Sequence, residues 1–506
     1  MKIILISPYL DISPVGIRIL SACLKKEGHD VKLIFLPRYD NEKYEKITLK
    51  CLVNISKDAD LIGISVMTGS LENVIQVTRM LKKNLDAPIL WGGFHPTLRP
   101  KECLNYADMV CMGEAEKSLV ELVNKMENKQ NYYDVKGIWF KNKDDLVKNK
   151  LAHLPQDLDS LPFPDYDYET HYILDGKIIY KMNKNLLKKY IKGHTTLATR
   201  GCPFGCTYCC NNVINRMYSH EKILRKRSVN NIIKELIYAK NKLPVMENVT
   251  LDDDAFFLMY NSEEISDFCA KYKKNIGLPL IVTGASPATL TIEKLSSLVN
   301  AGLQFLRVGI QTGSEKTKKM YKRNYSNEKV IETVRMINKF KNKLNEVVYD
   351  IILDNPWETD KDLVETLMLL SKFPSPYILS IYSLTLYPET ELYEKAKKEG
   401  IIINDLEDVY RKYYHNCRKT YLNGLFFLLK DYSRFGLRIS PKKMSLLTNQ
   451  KLRRFKLSWF FYIILKTYII PFKINYLSHE FLKEIKKGNF FRIYTYIYNL
   501  KRKKLG

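Results

Sequence analysis

The segment Cys202-Pro203-Phe204-Gly205-Cys206-Thr207-Tyr208-Cys209 packs three thiols into one short stretch with the spacing C-x3-C-x2-C. Three clustered thiolates can hold an iron–sulfur cluster while leaving one of its irons without a protein ligand. An iron left open in this way is a place for chemistry, as the open position of a three-ligand zinc site is. A structural zinc site draws four ligands, usually as two C-x2-C pairs. No second pair exists here, and Cys210 follows Cys209 too directly to join the other three on one metal. A disulfide, or burial as small apolar side chains, are the other plain readings of these thiols. Pro203 and Gly205 suit a tight loop wrapped around a metal. The preceding Thr195–Arg200 reads as a short buried strand. The cysteine loop is thus expected at a strand's C-terminal end, where barrel enzymes keep their chemistry.

Outward from this loop, strand and helix patterns alternate on both sides. Downstream, strands are expected at Asn248–Asp252, Pro279–Gly284, Gln304–Gln311, Glu346–Leu353 and Ile378–Leu386. With Thr195–Arg200 they make six βα units, an incomplete (β/α)6 TIM-like barrel over residues 191–400. Upstream, strand-like runs lie at Lys2–Pro8, Val31–Pro37, Asp60–Met67, Ala87–Gly93 and Asp108–Glu114. This α/β alternation over residues 1–135 predicts an open parallel sheet wrapped by helices, flavodoxin-like or Rossmann-type. Its first helix is legible: Val15, Ile19, Ala22 and Cys23 share a face, and Gly28 follows as the C′ cap. Prolines 155, 162 and 164 punctuate residues 136–190, which read as a linker between the two domains.

The chain of 506 residues is too long for a single core. Its ten cysteines show no regular spacing, so a disulfide framework is not indicated, and a reducing cytoplasm is expected. The first residues run straight into a strand pattern without the features of a signal peptide. Net charge is +26. From Pro441 onward sixteen Lys or Arg stand against two Glu. Residues 401–506 thus read as a mainly helical, basic and aromatic-rich region. Within it Leu457–Phe472 is strongly apolar, yet broken by Lys466 and Pro471 and too short for a membrane span. It reads either as a helix packed on the barrel or as an interfacial helix at the inner face of an anionic membrane. Abundant Lys, Asn and Ile are also what an AT-rich genome produces, with no partner implied.

The three-cysteine spacing resembles the signature of radical S-adenosylmethionine (SAM) enzymes. The resemblance implies a [4Fe-4S] cluster held by Cys202, Cys206 and Cys209, whose free iron chelates SAM before reductive cleavage to a deoxyadenosyl radical. It further implies SAM contacts from Tyr208, Asp253, Gln311 and Arg323. Asp253 belongs to an acidic run, Asp252-Asp253-Asp254, whose plain reading is a solvated loop. Gln311 stands where an acidic residue commonly meets the ribose, and a solvated helix-end cation is the plain reading of Arg323. Trp357 and Glu389 stand where the family has glycine, so a different backbone is expected there.

The upstream loops, over roughly residues 1–130, resemble the cobalamin-binding domain that precedes the barrel in many radical SAM enzymes. Ser13, Ser65, Thr68, Gly92, Gly93, His95 and Glu114 are the positions this implies around cobalamin. All fall on the carboxyl edge of the expected sheet, where open α/β sheets bind ligands. Asp11 and Gly16 keep the frame of the Asp-x-His-x-x-Gly motif, but Ser13 replaces the histidine that ligates cobalt from below. His95 is a candidate replacement ligand, although a histidine in a glycine turn more often hydrogen-bonds a ligand or backbone.

The resemblance implies methylation of an unactivated carbon, the amino-terminal module swinging its carboxyl edge onto the barrel mouth. Cyclisation or another radical outcome is the near alternative, and a small or lipid-like substrate and a flavodoxin or ferredoxin donor are expected. A tRNA methylthiotransferase would need three further clustered cysteines. Cys23, Cys51, Cys103 and Cys111 are instead scattered, which disfavours nucleic acid as a partner.

Overall fold

The computed structural model describes residues 1–38, 42–142, 145–451 and 457–471, with the backbone alone at 457–461. Two sheets organise it, the first mixed and the second parallel. The amino-terminal sheet is built from Lys2–Ser7 (β1), Asp30–Phe35 (β2), Leu61–Ser65 (β3), Ile89–Gly92 (β4) and Met109–Cys111 (β5). Ile138–Asn142 (β6), Asp145–Lys148 (β7), His171–Asp175 (β8) and Ile178–Lys181 (β9) extend it to nine strands. The order is β7-β6-β5-β4-β3-β1-β2-β8-β9. Its centre, 5-4-3-1-2, is the flavodoxin order, which reverses between β1 and β3 and opens a crevice at their carboxyl ends. The first helix, Val15–Lys26, ends with Gly28 at φ 90°, a left-handed turn suited to glycine.

The linker expectation for 136–190 is corrected. β6 and β7 form an antiparallel hairpin that adds to β5, while β8 joins β2 in parallel and β9 folds back on β8. Alternation does this locally: Ile138 and Phe140 point into the core, as do His171 and Ile173, with less buried residues between them. The prolines mark only the connection that carries the chain from one edge of the sheet to the other. That connection also grips the barrel, since the Pro155 carbonyl accepts from Arg225 Nη1 at 2.9 Å.

The second sheet comprises Gly193–Thr196 (β10) and, after the short ladder of Thr199–Arg200 (β11) with Arg225–Lys226 (β12), five more strands. These are Asn248–Leu251 (β13), Leu280–Ala285 (β14), Leu303–Gln311 (β15), Glu346–Leu353 (β16) and Ile378–Ser383 (β17). All six are parallel and in sequence order, the partial barrel expected. The single strand expected at 195–200 is split, because the Ala198 and Thr199 amides leave the ladder to bond Asp253 at 3.0 and 2.5 Å.

Helix Tyr421–Arg434 lies along β17 at the barrel's last edge and buries Leu422, Leu425, Phe426 and Leu429 in the barrel core. Helix Leu457–Tyr468 follows the packed reading, with Tyr462 and Leu465 against that core and Ile469 fully buried. Among the described residues no helix is long and apolar enough to cross a membrane. The basic stretch from Phe472 onward lies outside the described residues.

The two sheets are docked, which corrects the expected swing. One apolar cluster joins Ile4, Ile62 and Trp91 of the first sheet to Leu384, Leu386, Leu392 and Tyr410 beyond the second. Burial of this shared surface is what holds the carboxyl edge of the first sheet against the barrel mouth.

Candidate functional site

The cysteine loop leaves β11 through Gly201, at φ 87°, where a side chain would run into the Ile223 carbonyl. Cys209 N donates to the Cys206 carbonyl at 3.1 Å, closing a turn, and helix Cys210–Met217 begins at the next residue. Asn215 of that helix donates back to the Cys202 carbonyl at 2.7 Å. Thr207 anchors the loop to the barrel, its hydroxyl donating to the Met320 carbonyl at 2.7 Å. Burial pushes the Cys202 thiol up to about 11 and that of Cys209 to about 12. Ligation to iron displaces the thiol protons.

The donor set fits a cluster. Among the described residues no three Cys, His, Asp or Glu could hold a single metal ion. In a cluster, by contrast, each thiolate bonds a different iron. A cation also stands at the loop: Arg323 Nη1 lies 3.8 Å from Cys206 Sγ. Its Nη2 donates to the Gly309 carbonyl at 2.7 Å and its Nε to the Tyr325 hydroxyl at 3.1 Å.

Gln311 ends β15 at φ 69°, past a register shift against β16. Its amide lies over Gly309, where an added Cβ would strike it. Gln311 and Arg323 therefore meet around Gly309, and Arg323 reaches from there to Cys206. Tyr208 packs edge-on to Tyr321 at 4.9 Å. Glu389 keeps the left-handed backbone of the glycine it replaces, at φ 64°, and its carboxylate reaches Arg99 Nη1 at 2.8 Å.

Asp253 is not part of this grouping. It is buried under β10 and accepts from the Ala198 amide and from the Thr199 amide and hydroxyl, the last at 2.8 Å. Its neighbours Asp252 and Asp254 face outward instead, into a cavity. Asp252 accepts from Thr283 at 2.7 Å and Asp254 from Asn211 at 2.8 Å.

That cavity, about 440 Å³, lies between the two domains. Its floor is the carboxyl edge around the β1–β3 crevice: Tyr9, Gly16, Gly63, Ser65, Gly92 and Gly93. A Cβ added at Gly16 would meet nothing within 4 Å, and one at Gly92 only ordinary contacts at 3.9 Å. Glycine at 16 and 92 keeps that part of the floor open between side chains such as Leu5, Tyr9 and Phe94, which leaves room for a large flat ligand such as cobalamin. The roof is the cluster helix and the residues around it, including Arg200, Asn211, Ile214, Asn215 and Tyr218.

The other positions expected around cobalamin diverge. Ser13 is exposed and bonds Asp11 within its own turn at 2.6 Å. Thr68 and His95 are buried away from the cavity and face each other at 3.3 Å. The His95 ring packs edge-on to Tyr410 at 5.1 Å, and burial pushes its pKa down to about 4. His95 is thus part of the domain joint, and its candidacy as a cobalt ligand is corrected. Glu114 does line the cavity, but Arg200 and Arg225 of the barrel hold its carboxylate at 2.7 and 2.5 Å.

Tyr9, Arg200, Arg225 and Tyr218 are the site residues that motif reading missed. The helix at 210–217 carried a usable signal. Residues 211, 214, 215 and 218 recur at helical spacing, so they share a face.

The B12 binding domain family matches residues 1–123, and the Radical SAM superfamily matches residues 196–370. Residues 1–123 thus form a B12-binding domain and residues 196–370 a radical SAM domain, so the cofactors are a [4Fe-4S] cluster, SAM and cobalamin. It is 24% identical to the anaerobic magnesium-protoporphyrin IX monomethyl ester cyclase of Synechocystis, over 78% of this chain and 75% of that one. It is 25% identical to the bacteriochlorophyllide d C-8(2)-methyltransferase of Chlorobaculum tepidum, over 70% of this chain and 72% of that one. In fold it is similar to the radical SAM methyltransferase TsrM of Kitasatospora setae, with a TM-score of 0.62 at 16% identity, covering 79% and 76% of the two chains.

Proposed function

We propose that the chain is a cobalamin-dependent radical SAM methyltransferase acting on an unactivated carbon of a small molecule. The observation that carries this is the shared cavity, with the open carboxyl edge on one side and the cluster helix on the other. When bound, the cluster supplies an electron, SAM a hydrogen-abstracting radical, and cobalamin a transferable methyl group.

Cys202, Cys206 and Cys209 hold the cluster in this reading. Arg323 and Gln311, beside Cys206, bind SAM, with Tyr208 packed beneath the loop. Asp254 takes the place expected of Asp253, because it faces the cavity and Asn211 orients it. Gly16, Gly63, Ser65, Gly92 and Gly93 seat cobalamin. The Glu114–Arg200–Arg225 bridge keeps the two faces together and limits entry of water. The chain's net positive charge suits an acidic one-electron donor of the flavodoxin or ferredoxin kind.

The test is anaerobic turnover of the reconstituted protein with methyl-labelled SAM, a reductant and a small-molecule extract. Methyl transfer puts the label into one product together with formation of deoxyadenosine. The 24% match to a cyclase over most of the chain favours a second reading, radical cyclisation. That outcome yields deoxyadenosine and an altered product without label.

A further inference from the structure

Tyr218 closes the cluster helix, following Met217 directly. Its side chain lines the interdomain cavity, yet the residue is only 2% exposed. The hydroxyl crosses to the amino-terminal domain and lies against Gly113, where any side chain would collide with it. There it donates to no side chain or carbonyl among the described residues. The Glu114 backbone N–H reaches the phenolic oxygen as a donor, which leaves the phenolic proton without an acceptor among the described residues. Burial of such a group without a partner is unfavourable and calls for an explanation.

The surroundings narrow the explanation. Glu114 beside it is already taken by two arginines. Asn211 and Asn215, on the same helix face, have amide groups bonded to Asp254 and to the Cys202 carbonyl. Of Asn211, Asn215 and Tyr218, Tyr218 is the roof residue whose side chain donates to no acceptor among the described residues. Cobalamin carries amide carbonyls around the rim of its macrocycle, and these are acceptors.

We infer that Tyr218 is a cobalamin-binding residue of the barrel domain, donating its phenolic hydrogen bond to the cofactor seated on the opposite domain. The inference rests on the cobalamin assignment above. It makes one short segment, the ten residues from Cys209 to Tyr218 that hold helix Cys210–Met217 and its two caps, the shared mount of both cofactor sites. It also gives cobalamin a contact outside the domain that bears its name.

The experiment compares wild type with Tyr218→Phe as full-length, cluster-reconstituted protein. The readouts are the dissociation constant for hydroxocobalamin by equilibrium dialysis, iron content, and the melting temperature of cobalamin-free protein. Loss of one buried hydrogen bond weakens cobalamin binding by about fivefold to tenfold. Iron content stays equal, and the cobalamin-free melting temperature is unchanged or higher, since phenylalanine removes an unpaired hydroxyl. Equal affinity in the two proteins would overturn the inference. So would weaker binding accompanied by a lower cobalamin-free melting temperature, which makes Tyr218 a structural prop. A wild-type chain that binds no cobalamin overturns the cofactor assignment as well.

Discussion

Arg225 of the barrel domain holds both carboxylate oxygens of Glu114, at 2.5 and 2.9 Å, across the seam between the domains. The pair is bidentate, the geometry in which an arginine and a carboxylate bind most strongly. Arg200 adds a second cation at 2.7 Å and reaches on to Glu116 at 2.6 Å. A motif reading treats Glu114 as a cofactor contact, whereas its observed partners make it the latch that fixes one wall of the cavity.

Replacing Glu114 by Ala should therefore damage the joint before it damages either cofactor site. Buried Arg225 would be left without its anion while Arg200 keeps Glu116, and stranding one buried charge typically costs about 3–5 kcal/mol. The expected result is a lower melting temperature and faster proteolysis at the seam, with iron content retained. Glu114→Ala protein as stable as wild type would show that the latch contributes nothing.

Asp253 offers a sharper separation between structure and chemistry. Its oxygens accept from two backbone amides and a hydroxyl at the point where β10 leaves the sheet. Burial pushes its carboxyl up to about 7, against those hydrogen bonds. Asp253→Asn places an amide donor against donors and should lower the melting temperature while leaving SAM affinity unchanged. Asp254→Asn should do the reverse. Calorimetry and SAM binding on both variants decide between them.

The buried histidines set an acid limit. Burial pushes both His95 and His171 down to about 4, from an ordinary value near 6.5. The unfolded chain then binds protons that the folded chain does not, so stability is complete above pH 6.5 and is lost as pH falls toward 4. His95→Phe should flatten that decline only in part, because His171, beside Asp165 at 3.3 Å, still titrates. The melting temperature measured from pH 7.5 to 4.5 tests this, and identical curves would contradict it.

The carboxyl-terminal region closes the barrel's last edge. Leu425 is fully buried against it. Leu425→Ala should cost about 2–5 kcal/mol, visible in thermal unfolding, with cobalamin affinity little changed. An effect below about 1 kcal/mol would mean the helix is not part of the core.

Much of this architecture is legible from local pattern. Apolar runs such as Ile3–Ile6 and Ile62–Val66 bounded by turn residues read as buried strands, and the cysteine spacing carries its own chemistry. What escaped reading depends on contacts distant in sequence. Proline at 155, 162 and 164 looks like a linker, but the hairpins flanking it find free edges on a sheet built from residues 2 to 111. Nothing near Asp253 indicates that it, and not its two neighbours, turns inward to bond the Ala198 and Thr199 amides. His95 sits in a glycine turn of ligand-binding appearance, yet Tyr410, more than three hundred residues later, covers it. Glu389 keeps glycine's backbone conformation, which its own side chain disfavours and the Arg99 bridge supports.

The central claim is that one chain brings a cluster and cobalamin to a common cavity. Metal analysis after anaerobic expression with cobalamin supplied, followed by cluster reconstitution, addresses it most directly. The account predicts about four irons and about one cobalt per chain, the iron lost in Cys206→Ala. Iron without cobalt would contradict it and leave the open carboxyl edge at Gly16 and Gly92 without a ligand.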